Sequence, residues 1–403
     1  MKHKTDGKHM SEERNLDFDT VHERRNTDSL KFDFAVQRGK PADILPLWVA
    51  DMDFRTSGFV IDELVSKAQH GIFGYTEAGE AYHRALAGWM KRHHGLLIND
   101  KWVVKTPGVV FALAMAIRAY TGQGDPVLIQ QPVYYPFSEV IRDNGRRVVS
   151  SDLVLKGEHY ETDFDDLEKK IRNEKIKLFI LCSPHNPVGR VWTEDELRRV
   201  CDICKKYGVI VVSDEIHEDF VYPGYKHLPL LKVDPEIEDN VLICTSPSKT
   251  FNLAGLQLAN IIIPSIRLRS AFKHEVAAAG FSQQNSFGVT ACTAAYEKGD
   301  EWHEKVCSYI FDNFRFLKSY LAEHLPDVKV IEPEGTYLVW MDFGSVEPDP
   351  RKLSDRMVND AGVWLDDGAI FGKCGSGFER INIAVPRATL EEALRRICAA
   401  FGQ

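Results

Sequence analysis

The sequence has 403 residues, of which 44% are hydrophobic and 27% are charged, and its formal net charge is −9. This length predicts two or three domains and a core large enough to fold without disulfides or metal ions. The diffuse acidic charge argues against nucleic acids or anionic membranes as partners, and no apolar run approaches the roughly 18 residues of a membrane span.

The start of the chain and its cysteines bear on location. Residues 1–8 carry no apolar core and do not match a secretory signal, and the first dozen residues are polar enough to form a loose arm. The eight cysteines are scattered, which favours a reduced, cytoplasmic setting. Cys201 and Cys204 have the spacing of half a metal site, but their stretch has helical spacing and no second pair follows. We therefore expect buried core thiols there, and no metal site.

Between residues 100 and 265, strand-like and helix-like stretches alternate. Short, continuous apolar runs predict strands that are covered on both faces, as in a parallel sheet. Thr193 and Glu196 form a capping-box pattern that predicts a helix ending near Gly208. The predicted fold class is therefore α/β with a mainly parallel central sheet. The four runs are Val127–Gln130, Leu178–Cys182, Val209–Val212 and Val241–Cys244.

The last hundred residues show a different pattern. A helical stretch over about 297–324 precedes two short apolar runs at 328–331 and 337–341, and a final helix covers about 389–401. This order predicts a smaller α+β domain with mixed strands. The expected divisions are an N-terminal arm with part of the small domain over 1–56, a large domain over 57–296 and a small C-terminal domain over 297–403.

In an open parallel sheet, ligands bind beyond the carboxyl ends of the strands, and three polar groups follow the predicted strands there. Asn186, Asp214 and Lys249 follow the second, third and fourth runs, and Gly108 precedes an apolar helix whose free amides can bind an anion. Each residue alone has an ordinary alternative: a turn, a helix cap, a solvated lysine or a loop glycine. Together, an amide, a carboxylate, an amine and a helix start match the requirements of pyridoxal 5'-phosphate (PLP).

Two sequence blocks carry a resemblance to a known family. Residues 47–54, with the sequence LWVADMDF, and residues 248–257, with the sequence SKTFNLAGLQ, are specific, and matching stretches extend to Ala384. With these blocks the chain resembles fold-type I PLP enzymes of the class I/II aminotransferase superfamily. Within that superfamily it resembles the cystathionine β-lyase (cysteine-S-conjugate β-lyase) branch, which includes the maltose-regulon modulator type. The resemblance implies the PLP-dependent transferase-like fold.

The resemblance also implies roles for individual residues. Lys249 would bind the cofactor covalently and act as the base, Asp214 would pair with the pyridine nitrogen, and Tyr134 would stack on the ring as the third catalytic residue. Arg380 would hold the substrate α-carboxylate. Tyr75 would reach the phosphate from a neighbouring subunit, with core packing as the alternative. The other implied cofactor contacts are Val109, Val110, Asn186, His217, Ser246 and Ser248, and the other implied substrate contacts are Ala50 and Asn186.

Two positions depart from the pattern of many class I aminotransferases. The eighth residue after Lys249 is Gln257 rather than an arginine, and the third after Asp214 is His217 rather than a tyrosine. Both changes fit the β-lyase branch. They leave open which group neutralises the phosphate, and whether His217 contacts the cofactor or only packs behind it.

The resemblance implies a PLP-dependent carbon–sulfur lyase that cleaves L-cystathionine or another cysteine S-conjugate to a thiol, pyruvate and ammonia. Two alternatives share the cofactor residues: an aminotransferase acting on a neutral or aromatic amino acid, and a PLP-binding regulatory interaction protein. We expect a cytoplasmic homodimer with a shared active site, an amino-acid substrate and neither nucleic-acid nor membrane partners. The glycine-rich stretch 372–377 does not join a strand to a helix as a dinucleotide-binding motif does.

Overall fold

The structure is a computed structural model that describes residues 16–402. Within these residues the strands are β1 (Leu45–Pro46), β2 (Val103–Thr106), β3 (Pro126–Ile129), β4 (Arg147–Ser150), β5 (Val154–Lys156), β6 (His159–Glu161), β7 (Leu178–Cys182), β8 (Ile210–Asp214), β9 (Val241–Thr245), β10 (Ala259–Ile262), β11 (Lys329–Val330), β12 (Leu338–Asp342), β13 (Val363–Trp364), β14 (Asp366–Asp367) and β15 (Phe378–Asn382). The α-helices are α1 (Gly58–His70), α2 (Glu80–Trp89), α3 (Val109–Tyr120), α4 (Pro136–Asp143), α5 (Phe164–Glu174), α6 (Glu194–Tyr207), α7 (Leu230–Val233), α8 (Pro247–Thr250), α9 (Ile266–Ala278), α10 (Ser286–Lys298), α11 (Asp300–His324), α12 (Pro350–Asn359) and α13 (Arg387–Phe401).

A seven-stranded sheet forms the centre of the α/β fold, in the order β2-β10-β9-β8-β7-β3-β4. The pairs β9-β8, β8-β7, β7-β3 and β3-β4 are parallel, and β10 runs antiparallel to both its neighbours. Every residue of β7, β8 and β9 is buried, because helices cover both faces of the sheet. The four apolar runs of the sequence thus form four strands of one mainly parallel sheet, as predicted.

Helix α6 forms where the capping pattern predicts it. The Thr193 side chain accepts a hydrogen bond from the backbone N–H of Glu196, and the Glu196 carboxylate accepts one from the backbone N–H of Thr193. The helix ends at Gly208, whose φ of 67° is the left-handed conformation that glycine adopts easily. Cys201 and Cys204 lie on its buried face and are both 0% exposed, as expected of core thiols.

The C-terminal part forms a second sheet of four antiparallel strands in the order β11-β12-β15-β14. The predicted mixture of strand directions is absent from this sheet. It appears only if the separate two-stranded sheet of β1 and β13, which is parallel, is counted as well. The long helix predicted over about 297–324 is α11, which begins at Asp300, directly after the junction with α10 at Gly299. A side chain there would clash, because a Cβ would lie 2.4 Å from the Phe251 ring. No helix formed by residues 16–402 is long and apolar enough to cross a membrane.

Candidate active site

A cavity of about 190 Å³ lies at the carboxyl ends of the parallel strands, where ligands bind in sheets of this kind. Strands β7, β8 and β9 end at its wall, and α3 begins beside it. The residues that line it come from separate parts of the chain, which the fold brings together. Those predicted from the sequence are Ala50, Val109, Val110, Tyr134, Asn186, Asp214, His217, Ser246, Ser248 and Lys249.

Lys249 lies on the short helix α8 and points its amine at the backbone of the N-terminal segment. Its Nζ donates a hydrogen bond to the carbonyl oxygen of Ala50 over 2.7 Å. Burial lowers the pKa of this amine to about 8, and the charge of Arg380 acts in the same direction, whereas the carboxylates of Asp51 and Asp214 act in the opposite direction. A fraction of the Lys249 amines is therefore neutral near pH 7 and able to accept a proton.

Asp214 ends β8 and is 4% exposed. Its Oδ1 accepts a hydrogen bond from the backbone N–H of Ile216 over 3.2 Å. Burial raises the pKa of this carboxyl to about 7, although the nearby charge of Lys249 lowers it. A carboxylate in this position needs a positively charged partner inside the cavity to remain ionised at neutral pH.

One end of the cavity offers hydrogen-bond donors to an anion. The first backbone amides of α3, at Val109 and Val110, have no partner within the helix. They lie at its N-terminus, which is the positive end of the helix dipole. The Ser246 hydroxyl donates to the carbonyl oxygen of Leu258 over 2.7 Å. The Ser248 hydroxyl lies 2.7 Å from the Ser246 hydroxyl. When Ser246 uses its hydrogen in this way, the Ser248 hydroxyl can donate into the cavity.

This end of the cavity has no arginine or further lysine among the described residues that line it. Gln257, the neutral residue noted in the sequence, lines a neighbouring cavity, which also has Lys249 in its wall. Within the described chain, an anion bound here would therefore be held by neutral donors and the helix dipole.

Arg380 lies on β15 and is 2% exposed. Its Nη1 donates to Oδ1 of Asn186 over 2.9 Å, while its Nη2 donates to the carbonyl oxygen of Trp48 over 2.8 Å and pairs with the Asp366 carboxylate. Burial raises the pKa of Asp366 to about 6, and the charge of Arg380 counters that rise. The guanidinium is thus fixed behind the cavity wall, and its buried Nε has no partner among the described residues.

His217 faces the cavity rather than only packing behind it. The residue is 3% exposed, and its Nδ1 has no hydrogen-bond partner within residues 16–402. Its ring packs edge-on against Tyr337, with 5.8 Å between ring centroids. Burial and the charges of Lys249 and Arg380 hold the pKa of this imidazole well below its usual range, so the ring is neutral at pH 7. It can therefore act as a neutral hydrogen-bonding group.

Tyr75 is the one predicted site residue that does not come near the others within one chain. It lies on an extended stretch between α1 and α2 and is 95% exposed. The alternative role for Tyr75, packing in the core of its own chain, is therefore wrong. Its contribution to a neighbouring subunit's site stays a prediction.

Sequence reasoning missed three groups that surround the cavity. The Tyr337 hydroxyl donates to the Ala50 carbonyl oxygen, the same atom that accepts from Lys249. Asp366 pairs with Arg380, and Asp51 acts electrostatically on Lys249. Asp51 and Tyr337 lay in stretches that the sequence singled out, but as part of a family block and of a predicted strand. Asp366 reaches the site through pairing of distant strands, for which the local sequence has no signal.

One further cluster of potential metal ligands lies in the described chain, outside this cavity. His94, Glu218 and His227 are buried and bring their ligand atoms within 4.8 Å of one another. Each histidine already has a carboxylate partner, since His94 lies 2.8 Å from Asp219 and His227 lies 3.0 Å from Glu215. The cluster is therefore accounted for by buried histidine–carboxylate hydrogen bonds.

The cavity can accommodate a planar heteroaromatic ring with an anionic tail. Asp214 would face a protonated ring nitrogen, the α3 amides and Ser248 would face the anion, and the Lys249 amine could attack an aldehyde. The Nδ1 of His217 and the Nε of Arg380 are buried and have no hydrogen-bond partner within the described chain. A bound ligand would supply partners for these two atoms.

Comparison with known proteins gives consistent relatives over nearly the full chain. Residues 42–397 match the family model described as aminotransferase class I and II. The chain is 41% identical to cystathionine beta-lyase PatB of Bacillus subtilis over 96% of this chain and 100% of PatB, and 32% identical to protein MalY of Escherichia coli over 96% and 99%. The crystal structure of cystalysin from Treponema denticola, which contains a pyridoxal 5'-phosphate cofactor, superposes with a TM-score of 0.92 at 37% identity, over 95% of this chain and 98% of that one.

Proposed function

The chain belongs to the class I and II aminotransferase family, and from this premise we propose that it is a PLP-dependent carbon–sulfur β-lyase. Its substrates are L-cystathionine or other cysteine S-conjugates, and its products are a thiol, pyruvate and ammonia. The observation that carries the proposal is the Lys249 amine and the Asp214 carboxylate lining one cavity, in a chain similar over its length to a cystathionine beta-lyase.

The residues of the cavity fit PLP. Lys249 would bind the aldehyde carbon, Asp214 the ring nitrogen and Asn186 the phenolic oxygen, while Tyr134 would lie against the ring. The unpartnered Nδ1 of His217 supports a further contact from that side. The anionic end would be held by Val109, Val110, Ser246 and Ser248.

Bound at Lys249, PLP would supply an electron-accepting ring that stabilises negative charge at the substrate Cα. Arg380 would hold the substrate α-carboxylate through a guanidinium already oriented by Asn186 and Asp366. The Lys249 amine, whose pKa is lowered to about 8, would take the Cα proton as general base. It would then hold that proton at Nζ, in position to protonate the departing sulfur.

The Asp214 carboxylate would keep the ring nitrogen protonated, which lets the ring withdraw the negative charge that develops at Cα. Because Asp214 is buried, little water would compete with the ring nitrogen for the carboxylate. The tightly bonded Ala50 carbonyl, which accepts from both Lys249 and Tyr337, would define where the amine rests when it is not covalently bound.

The proposal includes a homodimer in which Tyr75 of one subunit completes the site of the other. Its support is the exposed apolar stretch between α1 and α2, where Ile72 is 68%, Phe73 is 60% and Tyr75 is 95% exposed in the single chain. A cytoplasmic location also belongs to the proposal. All eight cysteines are unpaired, and disulfides are rare in reducing compartments.

Turnover of L-cystathionine by the PLP-loaded protein, without any added keto acid, tests the proposal. We expect pyruvate, ammonia and free thiol in equal amounts, and none of them from the Lys249→Ala variant. Amino-group transfer that requires a keto acid, with no pyruvate from cystathionine, would favour the aminotransferase alternative and overturn the lyase. Absence of both reactions in a protein that binds PLP would favour the regulatory alternative.

A further inference from the structure

An apolar cavity of about 240 Å³ lies apart from the candidate active site and contains a thiol. It is lined by residues 220–223, by one side of α11 and by Thr336, and it shares no lining residue with the candidate active site. Phe220 packs edge-on against Tyr337, with 4.8 Å between ring centroids. The Tyr337 hydroxyl in turn contacts the Ala50 carbonyl, so these two rings stand between the two cavities.

The thiol belongs to Cys307, which is half-buried and lies one helical turn after His303 on α11. The Nε2 of His303 lies 3.3 Å from the Cys307 sulfur and 2.7 Å from the carbonyl oxygen of Asp219. A carbonyl oxygen has no hydrogen to give, so the short contact requires that Nε2 carries one. The Cys307 sulfur lies 3.6 Å from the same carbonyl oxygen, so the sulfur, the imidazole and the carbonyl form one polar cluster beside the cavity.

The histidine also brings positive charge to the sulfur. Burial on its own lowers the pKa of His303, but the Cys307 sulfur and Asp219 outweigh it and raise the pKa to about 10. A protonated imidazole beside a cysteine sulfur is an arrangement that activates thiols as nucleophiles.

A second polar group in the same cavity lacks a partner. Tyr222 is 7% exposed, lines the cavity with Cys307, and its hydroxyl makes no hydrogen bond within residues 16–402. A buried hydroxyl without an acceptor costs free energy, which a ligand carrying an acceptor atom would recover. The cavity thus combines a nucleophile, a hydrogen-bond donor and apolar walls formed in part by Ile310 and Phe311.

We propose that this cavity is a thiol-modification site at which Cys307 reacts with small, uncharged aromatic disulfides that carry a hydrogen-bond acceptor. The Cys307 thiol gives its proton to solvent and its sulfur attacks one sulfur of the disulfide. A new S–S bond forms as the old one breaks, and the leaving thiolate takes a proton from solvent. Cys307 is oxidised and the leaving sulfur is reduced, so the disulfide itself is the oxidant. In another protein an apolar cavity of roughly 150 Å³ binds benzene, so one aryl group fits in this cavity of about 240 Å³.

The other cysteines provide an internal comparison. Cys374 is exposed as a residue, but partial desolvation of its thiol and the charge of Asp152 raise the pKa of that thiol to about 11. Cys398 is half-buried, and burial raises the pKa of its thiol to about 11. Neither has a histidine beside the sulfur in any contact of the described chain. If exposure alone decided reactivity, Cys374 would react first. If the contact with His303 decides it, Cys307 reacts first. The remaining cysteines are buried: Cys182, Cys201, Cys204, Cys244 and Cys292.

The test is competitive labelling of the full-length, PLP-loaded protein with limiting 4,4'-dithiodipyridine, followed by peptide mapping by mass spectrometry. We expect Cys307 to be labelled at least tenfold faster than Cys374. With the dianionic reagent 5,5'-dithiobis(2-nitrobenzoate) we expect the order to reverse, because the apolar cavity excludes charge. Labelling of Cys374 first by the neutral reagent, with Cys307 reacting only after denaturation, would overturn the proposal.

Tyr222→Phe provides the matched variant, because it removes only a hydroxyl that makes no hydrogen bond in the described chain. Loss of one hydrogen bond to the pyridine nitrogen should slow labelling of Cys307 by 4,4'-dithiodipyridine about fivefold. Labelling by diphenyl disulfide, which lacks the acceptor, should be unchanged. Equal rates for wild type and variant with both reagents would contradict the role of Tyr222. Cys374→Ser should leave the Cys307 rate unchanged, and a slower rate would show that the label reaches Cys307 by transfer from Cys374.

Discussion

Replacing Asp214 by asparagine is expected to stabilise the cofactor-free protein above pH 7, although it removes a residue proposed to be essential. The Asp214 side chain is 4% exposed and accepts one backbone hydrogen bond, from Ile216. Burial raises its pKa from 3.8 to about 7, so the folded protein binds a proton here more tightly than the unfolded chain. Asparagine resembles the protonated carboxyl in shape and carries no charge to bury.

The magnitude and the pH window follow from the two pKa values. The contribution of Asp214 to wild-type stability is greatest below about pH 4 and is lost as the pH rises through about 7. At about 1.4 kcal/mol for each pKa unit, the loss at pH 8 amounts to about 4 kcal/mol. The Asp214→Asn variant avoids this loss, so its advantage in free energy of unfolding should be about 4 kcal/mol at pH 8 and should fade toward pH 4.

Cofactor binding should reverse the effect. A protonated ring nitrogen paired with a carboxylate is worth about 1.5–3 kcal/mol, so Asp214→Asn should weaken PLP binding by roughly 10- to 150-fold. Urea unfolding of the cofactor-free protein at several pH values, alongside PLP titration, measures both effects. The exposed Asp143, changed to asparagine, serves as the control and should alter neither. A variant that is less stable than wild type at pH 8 without cofactor, or that gains equally at pH 4 and pH 8, would refute the reasoning.

Three further changes test other parts of the structure. Arg380→Lys keeps the charge but loses the guanidinium fork, so kcat/KM should fall by roughly 10- to 100-fold through a higher KM, and an unchanged KM would argue against carboxylate binding. Tyr75→Phe should speed loss of PLP during gel filtration, whereas an unchanged rate would remove the residue from the proposed shared site. Gly189→Ala should lower the free energy of unfolding by about 2–4 kcal/mol, because φ is +72° and a Cβ would lie 2.9 Å from Pro333. Gly157→Ala, at φ +65° in open space, should cost only about 1 kcal/mol in the same denaturation assay, and equal losses would contradict the steric argument.

Local patterns in the sequence were sufficient for the centre of the fold. The run Leu178–Cys182 became a strand with the same bounds, and the capping box before α6 formed as predicted. The antiparallel strand β10 was missed, because nothing in its few apolar residues indicates strand direction. The exact start of α11 was missed as well: a side chain at Gly299 would meet the Phe251 ring, which comes from a distant part of the chain. Direction and close approach are tertiary properties that local spacing does not encode.

The candidate site divides in the same way. Asn186, Asp214 and Lys249 could be located by reasoning about strand ends, because the carboxyl ends of parallel strands share one edge of the sheet. The resemblance supplied the residues that no pattern singles out, including Tyr134 and His217. The groups that hold the site in place, such as Asp366 behind Arg380, come from strands joined only in the folded chain.

Borohydride reduction of the PLP-loaded protein, followed by peptide mapping, tests the central claim most directly. Reduction fixes the cofactor to the amine that holds it, so the label identifies that lysine by mass. The structure predicts a pyridoxyl group on the peptide that contains Lys249 and loss of the label in Lys249→Ala. A label on any other lysine, or an active protein that carries none, would contradict the assignment.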